Sequence, residues 1–362
     1  MPRRPFIAGC VLLFCFTFTT LSVLAEPPGN AGFRRGVNLS HWFAQIQVGG
    51  DRLQHLRTHF TEKDFELIRS LGLDHVRFTV DPDVLESQAY DGWAEYRRAV
   101  DMILSMGMNV IIDVHPSGEF KHALAADAEK RDAFIAFWTG LAERYADTDP
   151  ECVRFEMLNE PEMSAELWEP LQARLAAVVR RVAPDHTIIL CGAKWSGTDQ
   201  LVGLQPIDDP NVVYNFHFYE PHQFTHQAAT WGAPHWREMK GLPYPASEEG
   251  VRQALAGTTN PAAINDITRY GQSEWGPDKV REEIGRAAEW ARAHGGLTLT
   301  CDEFGVYMKA AAPEHRAAWI KDVRETLEAQ QIGWTMWDYA GGFGIVRDGK
   351  PIESVAEALG LR

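Results

Sequence analysis

Eight short apolar runs recur along the chain, at 36–42, 75–80, 109–115, 153–160, 187–193, 212–219, 297–305 and 333–340. Several are nearly continuous apolar stretches, the pattern of strands buried on both faces of a parallel sheet. Amphipathic stretches with helical spacing lie between most of them, at 61–71, 93–106, 127–145, 165–182, 277–293 and 313–331. Thr61 to Asp64 has the form of a capping box, and Gly72, Gly107, Pro184 and Gly295 punctuate helix ends. A strand–helix alternation repeated about eight times predicts a (β/α)8 barrel in a single domain. The competing architecture, a doubly wound open sheet, favours a G-x-G-x-x-G turn after an early strand, and the sequence has none. The fifth unit is the weakest, because 197–204 is short for a helix. The stretch from Glu220 to about Gly276 reads as irregular. It carries Trp231, Trp236, Tyr244 and several prolines, and a long loop after a barrel strand belongs to the substrate face.

Composition narrows the function classes. The 362 residues are 45% apolar and 23% charged, enough for a large core. A net charge of -15 argues against a nucleic-acid partner, which needs clustered Lys and Arg. Arg3 and Arg4 precede an apolar stretch, 6–24, that ends Val23-Leu24-Ala25. This predicts a signal peptide over 1–25, removed to leave a catalytic domain over 26–362 that is secreted, extracellular or periplasmic. An uncleaved anchor is the alternative. No later run is long enough to cross a membrane, so no membrane contact is expected after signal removal. Cys152, Cys191 and Cys301 then remain and are expected as buried, inert thiols. One disulfide among them is open, and no zinc-type spacing is present.

Polar residues collect where the apolar runs end. Arg77 lies in the second run, His115 ends the third, and Asn159 and Glu160 end the fourth. His217 and Tyr219 end the sixth, Glu303 lies near the end of the seventh, and Trp337 and Asp338 lie in the eighth. In a barrel these ends meet in one bowl. A lone histidine in an apolar strand is usually a satisfied core group; this many strands ending in such side chains is harder to dismiss. Two facing carboxyl groups are the minimum equipment for glycoside hydrolysis, and Glu160 and Glu303 are the candidates. Asp113 and Asp302 are expected to point away from the bowl. Glu156 is read as a buried, hydrogen-bonded carboxylate, and Asp338 as structural. His222 and His226 either meet substrate or brace their loop. Most of the 12 Trp are expected in the core, with Trp231 and Trp236 open to substrate contact.

The ordered set Arg77, His115, Asn159-Glu160-Pro161, His217-Phe-Tyr219, Asp302-Glu303-Phe-Gly305 and Trp337 resembles glycoside hydrolase family 5, the cellulase-type retaining enzymes, over about 36–346. The resemblance implies Glu160 as general acid/base and Glu303 as nucleophile. It implies Arg77 and Tyr219 as supports of Glu303, and Asn159 as a partner of the sugar 2-hydroxyl. His115 and His217 would line the subsite at the cleavage point, with Trp337 as its floor. The activity implied first is a retaining endo-β-1,4-glucanase. A β-mannanase, or an exo-acting β-glucosidase or β-1,3-glucanase, stays open. A non-catalytic sugar-binding barrel would have been free to lose Glu160, Glu303 or Arg77. A metal-dependent barrel hydrolase is disfavoured, since the first run lacks His-x-His and no His-Glu-x-x-His occurs. The expected partner is a polysaccharide or oligosaccharide; no metal or organic cofactor is expected, and the protein is expected to be a monomer.

Overall fold

The computed structural model describes residues 31–47 and 49–361; the expected signal segment, with Cys10 and Cys15, lies outside them. Eight parallel strands close into a barrel. They are β1 (Arg35–Asn38), β2 (His75–Val80), β3 (Asn109–Val114), β4 (Val153–Glu156), β5 (Thr187–Cys191), β6 (Val212–Phe218), β7 (Thr298–Phe304) and β8 (Gly333–Met336). Each pairs with the next, and β8 closes on β1.

The helices form where the sequence places caps and apolar stripes. Thr61 and Asp64 close a reciprocal capping box ahead of Glu62–Ser70. Asp127 caps Ala128–Tyr145, accepting from the Glu129 backbone N–H at 2.8 Å. Pro277–Ala293 and Pro313–Ala329 both begin with proline at the first helical position, where no N–H is needed.

Two cores result. A large one fills the space between sheet and helices and holds the fully buried Trp42, Trp138, Trp168, Trp319 and Trp334. A small one, of Phe33, Ile111, Ile189 and Val213, plugs the barrel interior. The large core also aims the catalytic face. The indole N–H of Trp138 donates to Met157 O at 2.9 Å, that of Trp168 to Cys191 O at 2.8 Å, and that of Trp319 to Glu220 O at 3.0 Å. These three core tryptophans thus pin the backbone where a strand runs out toward the cleft. Among the described residues, no helix is long and apolar enough to cross a membrane.

Two expectations about the elements need correction. The fourth run does not stay a strand to Glu160: the ladder stops at Glu156, and Glu160 has a positive φ of 46°. The apolar Met157 and Leu158 that extended the run are core side chains beyond the ladder. The stretch after β6 is not irregular throughout, because it contains helices Glu248–Ala256 and Pro261–Gln272, capped by Ser247 and Asn260. The fifth unit also has its helix, short as expected, at Thr198–Gly203. Cys191 and Cys301 are buried, Cys152 is part-buried, and all three are free thiols.

Candidate active site

Above the apolar plug, the barrel interior turns polar. Arg77 projects from the middle of β2 and is fully buried. Its Nε and Nη2 grip Glu156 at 2.6 and 2.9 Å. Its Nη1 donates to Glu303 Oε1 at 2.7 Å and to Asn38 Oδ1 at 2.9 Å, and its Nη2 to Asn159 Oδ1 at 3.0 Å. Asp113 Oδ2 also lies 3.0 Å from Nη2. A guanidinium is suited to this place because its donors lie in one rigid fork. Glu156 also accepts from Asn215 at 3.0 Å, so it is the buried, hydrogen-bonded carboxylate expected.

Asp113 and Asp302 do not point away from this layer. Asp113 lies two residues before His115, so strand alternation puts both on the inner face; its Oδ2 is 3.0 Å from His115 Nδ1. Asp302 reaches Thr300 Oγ1 at 2.6 Å, beside a break in strand register at both edges of β7. A bulge of this kind lets neighbouring side chains escape strict alternation. One guanidinium cannot offset every carboxylate here. Burial pushes Asp113 up to about 6 and Asp302 up to about 8. An unfolded aspartate ionises near about 3.9, so between these values the folded state keeps a proton that the unfolded chain has lost. This contribution to stability is complete below about pH 4 and is lost as pH rises through about 8. Asp302→Asn is therefore expected to flatten the fall in Tm between about pH 5 and pH 8. A melting series giving the same slope for variant and natural protein would refute this assignment.

The working groups stand on this layer. Glu303 accepts from Arg77 on one oxygen and from the Tyr219 hydroxyl on the other, at 2.9 Å. His217 Nδ1 lies 3.0 Å from Glu160 Oε1 and 3.7 Å from Glu303 Oε2. Burial lowers His217 to about 4 and His115 to about 3, so both rings are neutral near pH 7. With His115 donating from Nδ1 to Asp113, its Nε2 accepts from Asn159 Nδ2 at 3.1 Å and Gln45 Nε2 at 3.2 Å. The Trp337 ring lies nearly parallel to His115, 5.6 Å away. One donor atom from each of Glu160, His217 and Glu303 lies within 4.8 Å of the others. That spacing would admit a cation, but Arg77 already supplies positive charge against Glu303.

All eight residues singled out from the sequence thus gather at one end of the barrel. They line or support a cleft of about 1140 Å3. His222 and His226 border the cleft and stack on each other at 5.1 Å, with Trp236 behind. Trp231 and Trp236 also face the cleft, and Trp231 packs edge-on to Tyr307 at 4.8 Å. Asp338 is buried and takes a short hydrogen bond from Ser40, consistent with a structural role. Sequence reasoning missed Gln45, Glu162, Lys194, Trp195, Gln200, Glu220, Tyr307 and Phe343 as cleft residues. A bulky ring among small residues, Gly192-Ala-Lys-Trp195-Ser-Gly197, was the available signal for one of them.

The sequence profile of Cellulase (glycosyl hydrolase family 5) matches residues 42–342. The chain belongs to glycoside hydrolase family 5. Among its family 5 relatives, Endoglucanase C of Acetivibrio thermocellus is 30% identical over 85% of this chain and 91% of its own length. Cellodextrinase A of Ruminococcus flavefaciens is 27% identical over 83% of this chain and 84% of its own. The fold matches endoglucanase Cel5A from the hyperthermophilic Thermotoga maritima with a TM-score of 0.74, at 24% identity over 91% of this chain and 98% of that one. The family assignment makes the chain a glycoside hydrolase with its cleft at the C-terminal face of the barrel.

Proposed function

We propose that the protein is a retaining endo-β-1,4-glucanase in which Glu303 is the nucleophile and Glu160 the general acid/base. The spacing of the two carboxylates carries this reading. Oxygens of Glu160 and Glu303 lie within 4.8 Å of each other. Retaining enzymes hold the pair roughly 5–5.5 Å apart, whereas inverting enzymes leave roughly 6.5–9.5 Å for a water. The relatives named endoglucanase support the substrate and the internal mode of cleavage.

The two carboxylates are dressed for different work. Both Glu303 oxygens are held by donors, from Arg77 and Tyr219, which fixes their direction and places positive charge beside the attacking group. Glu160 takes one hydrogen bond, from His217, and its side chain is 25% exposed at the cleft. It can therefore reach the oxygen between two sugars. In the first step Glu160 delivers its proton to that oxygen while Glu303 bonds to the anomeric carbon. In the second Glu160 takes a proton from water, the water oxygen bonds to the same carbon, and Glu303 leaves as carboxylate. Asn159 is held from both ends, by Arg77 and His115, beside the acid. This suits it to orient the 2-hydroxyl of the sugar under attack. Both steps run on these side chains alone, so no metal or organic cofactor is required. The basic and apolar start of the chain supports export before the enzyme acts on polysaccharide.

Hydrolysis of carboxymethyl cellulose, mixed-linkage β-glucan, β-mannan, laminarin and an aryl β-glucoside by residues 26–362 tests the reading. A rapid fall in viscosity on the β-1,4-glucans, with few reducing ends released, is expected. Activity confined to the aryl glucoside or to chain ends would overturn the endo assignment, and preference for mannan would overturn the sugar.

A further inference from the structure

Glu162 is a carboxylate of the cleft that the two displacement steps do not use. It lies two residues past Glu160 and borders the cleft, yet each of its oxygens already faces a nitrogen of the neighbouring loop. Oε1 lies 3.5 Å from Lys121 Nζ, and Oε2 lies 3.0 Å from His122 Nε2. Both partners sit on the helix Gly118–Ala126, which follows β3. Glu162 Oε1 also lies 3.8 Å from where a Cβ on Gly118 would sit, so its charge rests at the positive end of that helix.

What Glu162 anchors is the segment that carries the acid. Glu160 has a left-handed φ of 46°, a conformation that costs a non-glycine residue about 1–2 kcal/mol and persists where the surroundings enforce it. Ties on both sides enforce it. The Asn159 backbone N–H donates to Val114 O at 2.9 Å, and Pro161 O accepts from the Trp195 backbone N–H at 3.4 Å. The turn that carries Trp195 is itself left-handed, with φ of 48°, 67° and 58° at Lys194, Trp195 and Ser196. The tie from Glu162 to Lys121 and His122 is made by side chains, so it can be cut while Glu160 stays in place in the sequence.

Lys121 also brings charge into the wall of the site, because it is buried there. Burial lowers His115 and His217, and the positive charges of Arg77 and Lys121 add to the fall. Burial raises Asp113, and the same two cations oppose the rise. These groups surround Glu160. His217 contacts it directly, and Asp113 and His115 feel its charge, as do Tyr219 and His222. Glu303 faces it across the cleft, and Lys194 lies on the turn tied to Pro161.

We infer that Lys121 and Glu162 are positioning residues for the general acid. The pair straps the loop of Glu160 to the helix after β3, aims the acid at the oxygen between two sugars, and balances the charge around it. The inference rests on the hydrolase reading, since both residues act through Glu160. The two halves of the pair have opposite electrostatic effects. Losing the Lys121 ammonium makes the Glu160 carboxylate less favourable, so its proton stays on to higher pH. Losing the Glu162 charge makes that carboxylate more favourable, so the proton leaves at lower pH.

The test compares natural protein, Lys121→Met, Lys121→Arg, Glu162→Gln and the double variant Lys121→Met with Glu162→Gln. The substrates are cellotetraose, whose leaving sugar needs a proton, and 2,4-dinitrophenyl β-cellobioside, whose leaving phenolate needs none. Lys121→Met and Glu162→Gln are each expected to lower kcat/KM on the tetraose roughly tenfold, and on the aryl substrate by less than about twofold. Lys121→Arg should restore most of the loss. Glu162→Gln, at the cleft surface, is the milder cut and carries the test if Lys121→Met fails to fold. The alkaline limb of kcat/KM on the tetraose falls as Glu160 ionises. It should move up by about half a pH unit in Lys121→Met and down by about as much in Glu162→Gln, and return near its natural place in the double variant. Equal losses on the two substrates, or limbs that stay in place, would overturn the positioning role. Natural protein inactive on both substrates would instead overturn the hydrolase reading on which it rests.

Discussion

Glu303→Ala is expected to lower kcat/KM on β-1,4-glucan by about 10^4-fold or more, the scale seen when a covalent nucleophile is deleted. The loss should fall on kcat, since the other residues lining the cleft remain to hold the polymer. The substitution also removes the acceptor of the Arg77 and Tyr219 hydrogen bonds and leaves a small space lined by donors. A small anion such as azide fits that space and approaches the anomeric carbon from the Glu303 side. With β-cellobiosyl fluoride, azide should restore turnover and yield the α-glycosyl azide, read by proton NMR. Activity within tenfold of natural protein, or a β-azide from this variant, would remove Glu303 from its role.

Arg77→Met should be the most damaging change to stability among the site residues. The guanidinium is fully buried and lies between 2.6 and 3.0 Å from Glu156, Glu303, Asp113, Asn38 and Asn159. Removing one partner of a buried ion pair costs about 3–5 kcal/mol, because the charge left behind keeps its desolvation penalty. Here three carboxylates lose a partner at once, so the upper end of that range is expected, with a fall in Tm on the order of 10 °C. The loss should shrink as pH falls and the carboxylates gain protons. A Tm within about 2 °C of the natural value at pH 7 would show that Arg77 is not the electrostatic centre of the barrel. Arg77→Lys should recover little, since an ammonium cannot reproduce the fork that grips Glu156 while reaching Glu303.

The barrel was legible because its strands are buried on both faces, and such strands read as near-continuous apolar runs. Helix ends were legible where chemistry marks them, as at Thr61, Asp127, Pro277 and Pro313. Strand ends toward the cleft were not. Met157 and Leu158 continue the apolar pattern for reasons of core packing after the ladder has stopped at Glu156. The helices Glu248–Ala256 and Pro261–Gln272 were hidden by the glycines and polar residues around them, although Ser247 and Asn260 carried the capping signal. The candidate carboxylates could be picked because each closes an apolar run before proline or glycine. The inner layer behind them could not be read fully. Asp302 enters it beside a register break that no period-two count anticipates, and Trp195 meets the cleft only through its left-handed turn.

The claim at the centre of this account is a double displacement through Glu303. The most direct measurement is proton NMR of cellotetraose during its first minutes with the enzyme, following the anomeric signals of the new reducing end. The account expects the β-anomer first, with the α-anomer growing in later at the rate of spontaneous mutarotation. An α-anomer formed first would mean a single displacement by water, and would contradict the roles given to Glu160 and Glu303.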